Sequence, residues 1–171
     1  DCVVRGGEPT DLSLVARHVG DLKSGIYAAP SYLESTGLPS HPQELSAPPH
    51  YIVGFRWARA GVSSPYAMYR SGERINVQGR YVISVDDGNA GLAAGIAGLG
   101  VVWLPDYMAS EHVARGELVR LFDDWHLDPM PMYVAFPSNL HVSAKLRVFI
   151  NWVADLMAKN TPIVGRRMNK R

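Results

Sequence analysis

The chain has 171 residues, is 47% hydrophobic and 19% charged, and carries 17 Lys and Arg against 16 Asp and Glu, a formal net charge of +1. Four of those cations lie in the last six residues, so thirteen cations face sixteen carboxylates in residues 1–165, a net −3. A body with that balance lacks the clustered cations that displace counterions from a duplex, and this excludes a self-sufficient nucleic-acid reader. One cysteine, Cys2, excludes an internal disulfide or a multi-cysteine zinc site. No apolar run reaches the roughly 20 residues that span a bilayer, and a single domain or two small lobes fit the length.

The chain opens on Cys2-Val3-Val4, an apolar run that reads as a buried strand, stopped by Arg5-Gly6-Gly7-Glu8-Pro9. Residues 14–19 alternate and suggest a second strand, with Gly20-Asp21 as a break or hinge, and 25–29 suggest a third. Pro30 suits the first position of a helix that Gly37 stops, and Ser40 and Pro42 begin a shorter helical turn. Residues 51–55 form a strand, and Ser71-Gly72 mark a hairpin turn between 66–70 and 73–77.

Residues 81–85 are the clearest strand, running into Asp86-Asp87-Gly88-Asn89 and a helix of small residues over 90–97. Asp87 fits an N-cap, since its carboxylate can accept the free amides of the first turn, and Gly98 fits a left-handed terminator. Strand 101–104 follows, then a helix from Asp106 to Gly116, then strands at 118–122 and 132–136. The last helix is the longest. Val142, Leu146, Phe149, Ile150, Val153, Leu156 and Met157 recur at steps of three and four and form one apolar stripe. Strand–helix alternation points to α/β layering with largely parallel pairing.

Gly95, Gly98 and Gly100 have dinucleotide-loop spacing, but they follow a helix and precede a strand, the reverse of what a pyrophosphate needs. They read as a helix terminator with close helix–strand packing. No two of the six histidines stand at i,i+3 or i,i+4, so they read as surface or partly buried side chains and not as metal ligands. Cys2 reads as a small strand hydrophobe. Asp123-Asp124 read as a solvated turn. Asp86 and Asp87 allow two roles at once, one capping the helix and the other facing a ligand at the carboxyl edge of an open sheet. Arg5, Gly6 and Gly7 could offer a cation and approachable amides to a polar ligand, or form a plain turn. Phe55 and Trp103 could wall an apolar pocket or simply pack in the core.

Taken in order, several segments resemble the effector-binding domain of LysR-type transcriptional regulators. They are 1–8, 13–20 and 27–33, then Val85-Asp86-Asp87-Gly88-Asn89-Ala90, 97–105 and 115–119, and finally 133–137 and 143–150. The resemblance implies an α/β, periplasmic-binding-protein-like (type 2) two-lobed fold, with the second lobe complete and the first lobe partial. Residues 1–24 and 132–158 would form the partial first lobe, 25–131 the second, and 159–171 a disordered basic tail. It implies a small-molecule effector in the interlobe cleft, with Arg5, Gly6 and Gly7 from the first lobe and Gly54, Phe55, Asp86, Asp87 and Trp103 from the second. It further implies no catalysis and no cofactor or metal, a cytoplasmic setting away from membranes, and a homo-oligomer, dimer or tetramer, in the full-length protein. DNA would be reached only through an N-terminal winged helix-turn-helix expected before Asp1. Asp86 departs from the family pattern in which Asn precedes the Asp; a carboxylate only accepts, which disfavours a simple carboxylate effector there. A periplasmic-type solute-binding protein would share the cleft design and is the alternative.

Overall fold

The computed structural model describes residues 2–7, 11–56, 66–138 and 143–160. The elements up to the second strand of the central sheet are β1 (Val3–Gly6), β2 (Leu14–Leu22), β3 (Ser24–Ala28), α1 (Pro30–Thr36), a 3-10 turn (Pro42–Ser46) and β4 (Ile52–Phe55). Then come β5 (Tyr66–Arg70), β6 (Glu73–Val77), β7 (Tyr81–Val85), α2 (Gly88–Ile96), β8 (Val101–Pro105) and α3 (Asp106–Ala114). The chain closes with β9 (Val119–Leu121), β10 (His126–Leu127), β11 (Met130–Pro137) and α4 (Ala144–Asn160). It divides into two compact units, Asp1–Leu22 with Pro129–Arg171, and Lys23–Asp128. Among the described residues no helix is long and apolar enough to cross a membrane.

The first unit is a three-stranded antiparallel sheet, β1-β11-β2, with α4 on one face. Val19, Val134, Phe136, Ile150 and Val153 form its core, and Leu146, Phe149 and Met157 pack around them. The helix expected from residue 142 begins at Ala144 and runs to Asn160, while Val142 and the tail 161–171 lie outside the described residues. The expected buried strand at 2–4 is instead an edge strand. Val3 and Val4 are 50% and 41% exposed, because α4 packs along β2 and leaves the β1 side uncovered. Gly20 does not break the second strand either. The ladder slips by one residue between Met132 and Tyr133, a bulge that lets β2 continue to Leu22, and a Cβ on Gly20 would lie 2.8 Å from the Met157 Cβ.

The second unit is layered around a five-stranded sheet in the order β7-β4-β8-β3-β9. On one face Tyr27, Val53, Val102 and Leu104 pack with Ala94 of α2, Ala109 of α3 and Leu118, which precedes β9. On the other, Ile26, Ile52 and Val101 share a core with Met68 and Val77 of a second sheet, β10-β5-β6, together with Tyr32, Leu45 and Trp125. Close approach of α2 is set by Gly95, where a Cβ would lie 2.6 Å from the Val102 side chain. Gly98 has φ 72° and ends α2 with its N–H on the Gly95 carbonyl (3.1 Å), while the Leu99 N–H reaches back to Ala94 (3.1 Å).

Pairing is mostly antiparallel, against the expectation of a largely parallel sheet. Only β4–β7 and β4–β8 run parallel among the described strands. The reason is that β3 runs opposite to β8 and β9 and lies between them, so strands joined through α3 are parallel but not neighbours. β5 and β6 are joined by the Ser71-Gly72 turn, and β3 lies antiparallel to both its neighbours, β8 and β9. β9 stops at Leu121 because Phe122 turns out of the ladder with φ 56°.

Candidate functional site at the carboxyl edge of the parallel strands

β7 and β8 flank β4 on opposite sides, and all three point the same way. Phe55, Val85 and Pro105 therefore end on one edge of the sheet, where the chain turns from β7 into α2 and from β8 into α3. Strand order reverses at β4. Open α/β sheets bind ligands at such a switch point, because the diverging connections leave a crevice there. The Arg56 N–H donates to the Val85 carbonyl at 2.8 Å and ties the ends of β4 and β7 together.

Asp87 is the N-cap of α2. Its Oδ1 accepts the Ala90 N–H at 3.0 Å, and its carbonyl accepts the Gly91 N–H at 3.1 Å. Asp86, the preceding residue, is exposed at the same edge. One carboxylate is thus committed to the helix end, and its neighbour presents acceptor oxygens to solvent. Gly88 brings the end of α2 close to α3, since a Cβ there would lie 3.4 Å from the Met108 methyl.

A second polar cluster ties down the end of β8. The buried Tyr27 hydroxyl donates to Asp106 at 2.8 Å, and Arg120 lies 3.2 Å from the Tyr27 oxygen and 3.3 Å from the Asp106 carboxylate. Burial, then the bond to Asp106, pushes the Tyr27 phenol far above its ordinary value, so it is a neutral donor. The Asp106 N–H is used as well, donating to the Lys23 carbonyl at 2.9 Å. None of these three side chains stood out in the sequence, because 79 residues separate Tyr27 from Asp106 and no local motif joins them.

Gly54 and Trp103 lie on the other face. Gly54 pairs with Ser84, and the register of Val53 with Val102 brings it beside Trp103. Trp103 packs against the core shared with the second sheet, and Tyr66 stacks on it with ring centroids 4.0 Å apart and planes 11° apart. The Trp103 Nε1 is enclosed without a hydrogen-bond partner among the described residues. Burial pushes the Tyr66 phenol up to about 12, so its hydroxyl also stays protonated. The structure does not bring Trp103 and Asp87 to one surface; they belong to opposite sides of the sheet at its carboxyl edge.

Arg5, Gly6 and Gly7 belong to the first unit. Arg5 pairs with Tyr133, which pairs with His18, so the three line up across the sheet, with the His18 ring edge-on to Tyr133 at 5.4 Å. Pairing with Tyr133 puts Arg5 on the face away from α4, and it is exposed. Gly7 has φ 78°, and its N–H donates to the Pro131 carbonyl at 2.9 Å. That amide is spent within the sheet and is not open to a ligand. Glu8 and Pro9 lie outside the described residues.

Of the histidines, His50 departs most from the surface reading, being 4% exposed, and burial lowers its pKa. His141 lies outside the described residues. Cys2 is an exposed free thiol.

The LysR substrate binding domain matches residues 1–158. The chain is 34% identical over 165 residues to the HTH-type transcriptional repressor PA14_22550 of Pseudomonas aeruginosa, covering 95% of this chain and 51% of the repressor. It is 28% identical to the HTH-type transcriptional regulator CrgA of Neisseria meningitidis, over 94% of this chain and 52% of CrgA. The chain thus spans about half the length of the curated relatives it matches. Among solved structures, the CrgA regulatory domain superposes with a TM-score of 0.75 at 26% identity, covering 92% of this chain and 75% of that one. Full-length AphB of Vibrio cholerae gives 0.73 at 29% identity, covering 91% of this chain and 51% of AphB.

Proposed function

Because the chain belongs to the LysR substrate-binding domain family, we propose that it is the ligand-sensing part of a DNA-binding transcriptional regulator, taking a small-molecule effector at the carboxyl edge of the second unit's sheet. The observation that carries this reading is the junction of Phe55, Val85, Asp86 and Asp87 where β4 and β7 end and α2 begins. At a strand reversal the diverging connections can leave a crevice, Asp87 caps the helix beside it, and Asp86 supplies an acceptor.

An acceptor-only carboxylate at this edge favours an effector with donor or cationic groups over a bare carboxylate. The effector works by preferring one arrangement of the regulator, and it can shift the balance only by its differential affinity for the two arrangements. No bond-making chemistry enters. DNA contact is assigned to sequence outside this chain, consistent with the net −3 of residues 1–165.

Thermal melting against a panel of small amines, amino acids and organic acids tests this. A hit that raises the melting temperature in the native chain and loses the shift in Asp86→Asn supports the reading. A panel whose hits are all indifferent to Asp86→Asn and to Asp87→Ser removes the carboxyl edge as the binding surface.

A further inference from the structure

Between α1 and β4 the chain runs as a strap over residues 41–50, with a histidine at each end. Its middle is anchored, since Leu45 is fully buried with Met68, Val77 and Trp125. Gln43, Glu44, Ala47, Pro48 and Pro49 are exposed. The two ends are therefore what fastens the exposed parts.

His41 is the N-cap of the 3-10 turn. Its Nδ1 accepts the Gln43 N–H at 3.2 Å, and its own backbone N–H donates to the Glu44 carboxylate at 3.1 Å. A ring nitrogen that accepts carries no proton, so the ring proton is on Nε2, which faces Glu73 of β6 at 3.6 Å. Caps are ordinarily Ser, Thr, Asp or Asn, whose acceptors do not titrate near neutral pH; an imidazole does. A second proton on this ring must go to Nδ1, and there it ends the cap bond. Three carboxylates favour that charge: Glu44 in the turn, Glu73, and Asp124 before β10, whose carboxyl Arg70 and, less strongly, His41 hold low. Arg70 of β5 opposes it but is already paired with Asp124 at 2.8 Å and Glu73 at 3.4 Å. The Trp125 ring stands edge-on to His41 at 5.1 Å.

At the other end His50 is 4% exposed. Its Nδ1 lies 3.5 Å from the Tyr32 hydroxyl of α1, and that oxygen accepts the Tyr51 N–H at 2.8 Å. Burial opposes a charge on this ring, and Glu44 favours it less strongly. The Arg80 guanidinium lies on the Tyr51 ring, 4.4 Å from its centroid.

We propose that residues 41–50 are a proton-released strap: a proton on Nδ1 of His41 ends the cap, a proton on the enclosed His50 expels its ring, and acid so frees both ends of the segment leading into β4. Both protons favour the open segment, so opening increases as pH falls below about 6.5. Leu45 keeps the middle seated, which makes the opening local. The switch stands apart from the effector reading, and its test needs no effector.

Nitrogen-15 NMR of the histidine rings, with amide exchange corrected for its intrinsic pH dependence, tests the proposal on the full chain. At about pH 7.5 His41 is expected in the Nε2–H form, with the Gln43, Ala47 and His50 amides protected by their bonds to His41, Glu44 and Ala47. At about pH 5.5 their protection should fall about tenfold, while that of Ala97 and Leu99 at the end of α2 holds. His41→Asn keeps a cap acceptor that does not titrate and should preserve Gln43 protection at acid pH. Adding His50→Gln should preserve the whole strap, and the single variant at the partly exposed His41 decides alone if the double variant fails to fold. A His41 ring in the Nδ1–H form, strap protection indifferent to pH, a loss shared by α2, or an undiminished loss at Gln43 in His41→Asn would each overturn the proposal.

Discussion

The Tyr27 hydroxyl sits 2.8 Å from the Asp106 carboxylate and joins the second unit's central sheet to the first turn of α3. Tyr27 is 2% exposed, while its partners Asp106 and Arg120 both reach solvent. Asp106 keeps Arg120 at 3.3 Å, which offsets part of the loss when the hydroxyl is removed. Tyr27→Phe is expected to destabilise the fold by about 1 kcal/mol. Urea unfolding of the two chains checks this, and an unchanged midpoint would show that the bond contributes nothing net.

Gly95 gives a prediction whose sign runs against helix propensity. In an exposed helix interior, Gly→Ala stabilises by about 1 kcal/mol. Here the new Cβ would lie 2.6 Å from the Val102 side chain in the core beneath α2. Gly95→Ala should therefore destabilise, by about 1–3 kcal/mol, with Val102→Ala restoring part of the loss in the double variant. A more stable Gly95→Ala would mean that α2 moves outward at little cost.

The stability should also depend on pH through His50. Burial lowers its pKa below the ordinary 6.5, so the folded chain holds it neutral. Below pH 6.5 the unfolded chain takes up a proton that the folded chain refuses, and stability falls as pH drops from there toward the lowered folded value. Glu117 acts in a separate, more acidic window. Arg115 and His112 hold its carboxyl at about 2, so its contribution is complete above 4.5 and is lost as pH falls toward 2. Melting temperatures at a series of pH values should show the first loss flattened in His50→Gln and the second retained.

Asp87 can be tested as a cap apart from any ligand. Its Oδ1 serves the Ala90 N–H, so Asp87→Ala should cost about 1 kcal/mol, and Asp87→Ser should recover most of it. Equal losses in both variants would assign the cost to something other than the cap.

What could be read from the chain in advance was local. The Asp87 cap, the Gly98 terminator and the Ser71-Gly72 hairpin each depend on a few neighbouring residues, and each stands where its residue type suggests. Gly95 was readable as a close-packing position because its helix runs directly into the strand it covers. Long-range relations were not readable. Trp103 and Phe55 look alike as strand aromatics, and nothing in the sequence shows that Tyr66 would lie flat on Trp103. Val3 and Val4 read as buried because apolar runs usually are, but burial depends on what covers the strand, and α4 follows β2. Strand direction failed for a related reason: the alternation of strands and helices hides which strands are joined without a helical crossover.

The central claim is that a small effector binds at the carboxyl edge of β4 and β7. The most direct test is amide NMR on the nitrogen-15-labelled chain, titrated with whichever amine, amino acid or organic acid raises its melting temperature. Perturbations should concentrate on Phe55, Arg56 and Asp86 to Ala90 and saturate with a single binding isotherm. Saturable perturbations confined to another surface, such as the exposed Val148–Trp152 side of α4, would contradict the account, as would a panel that binds nowhere on the chain.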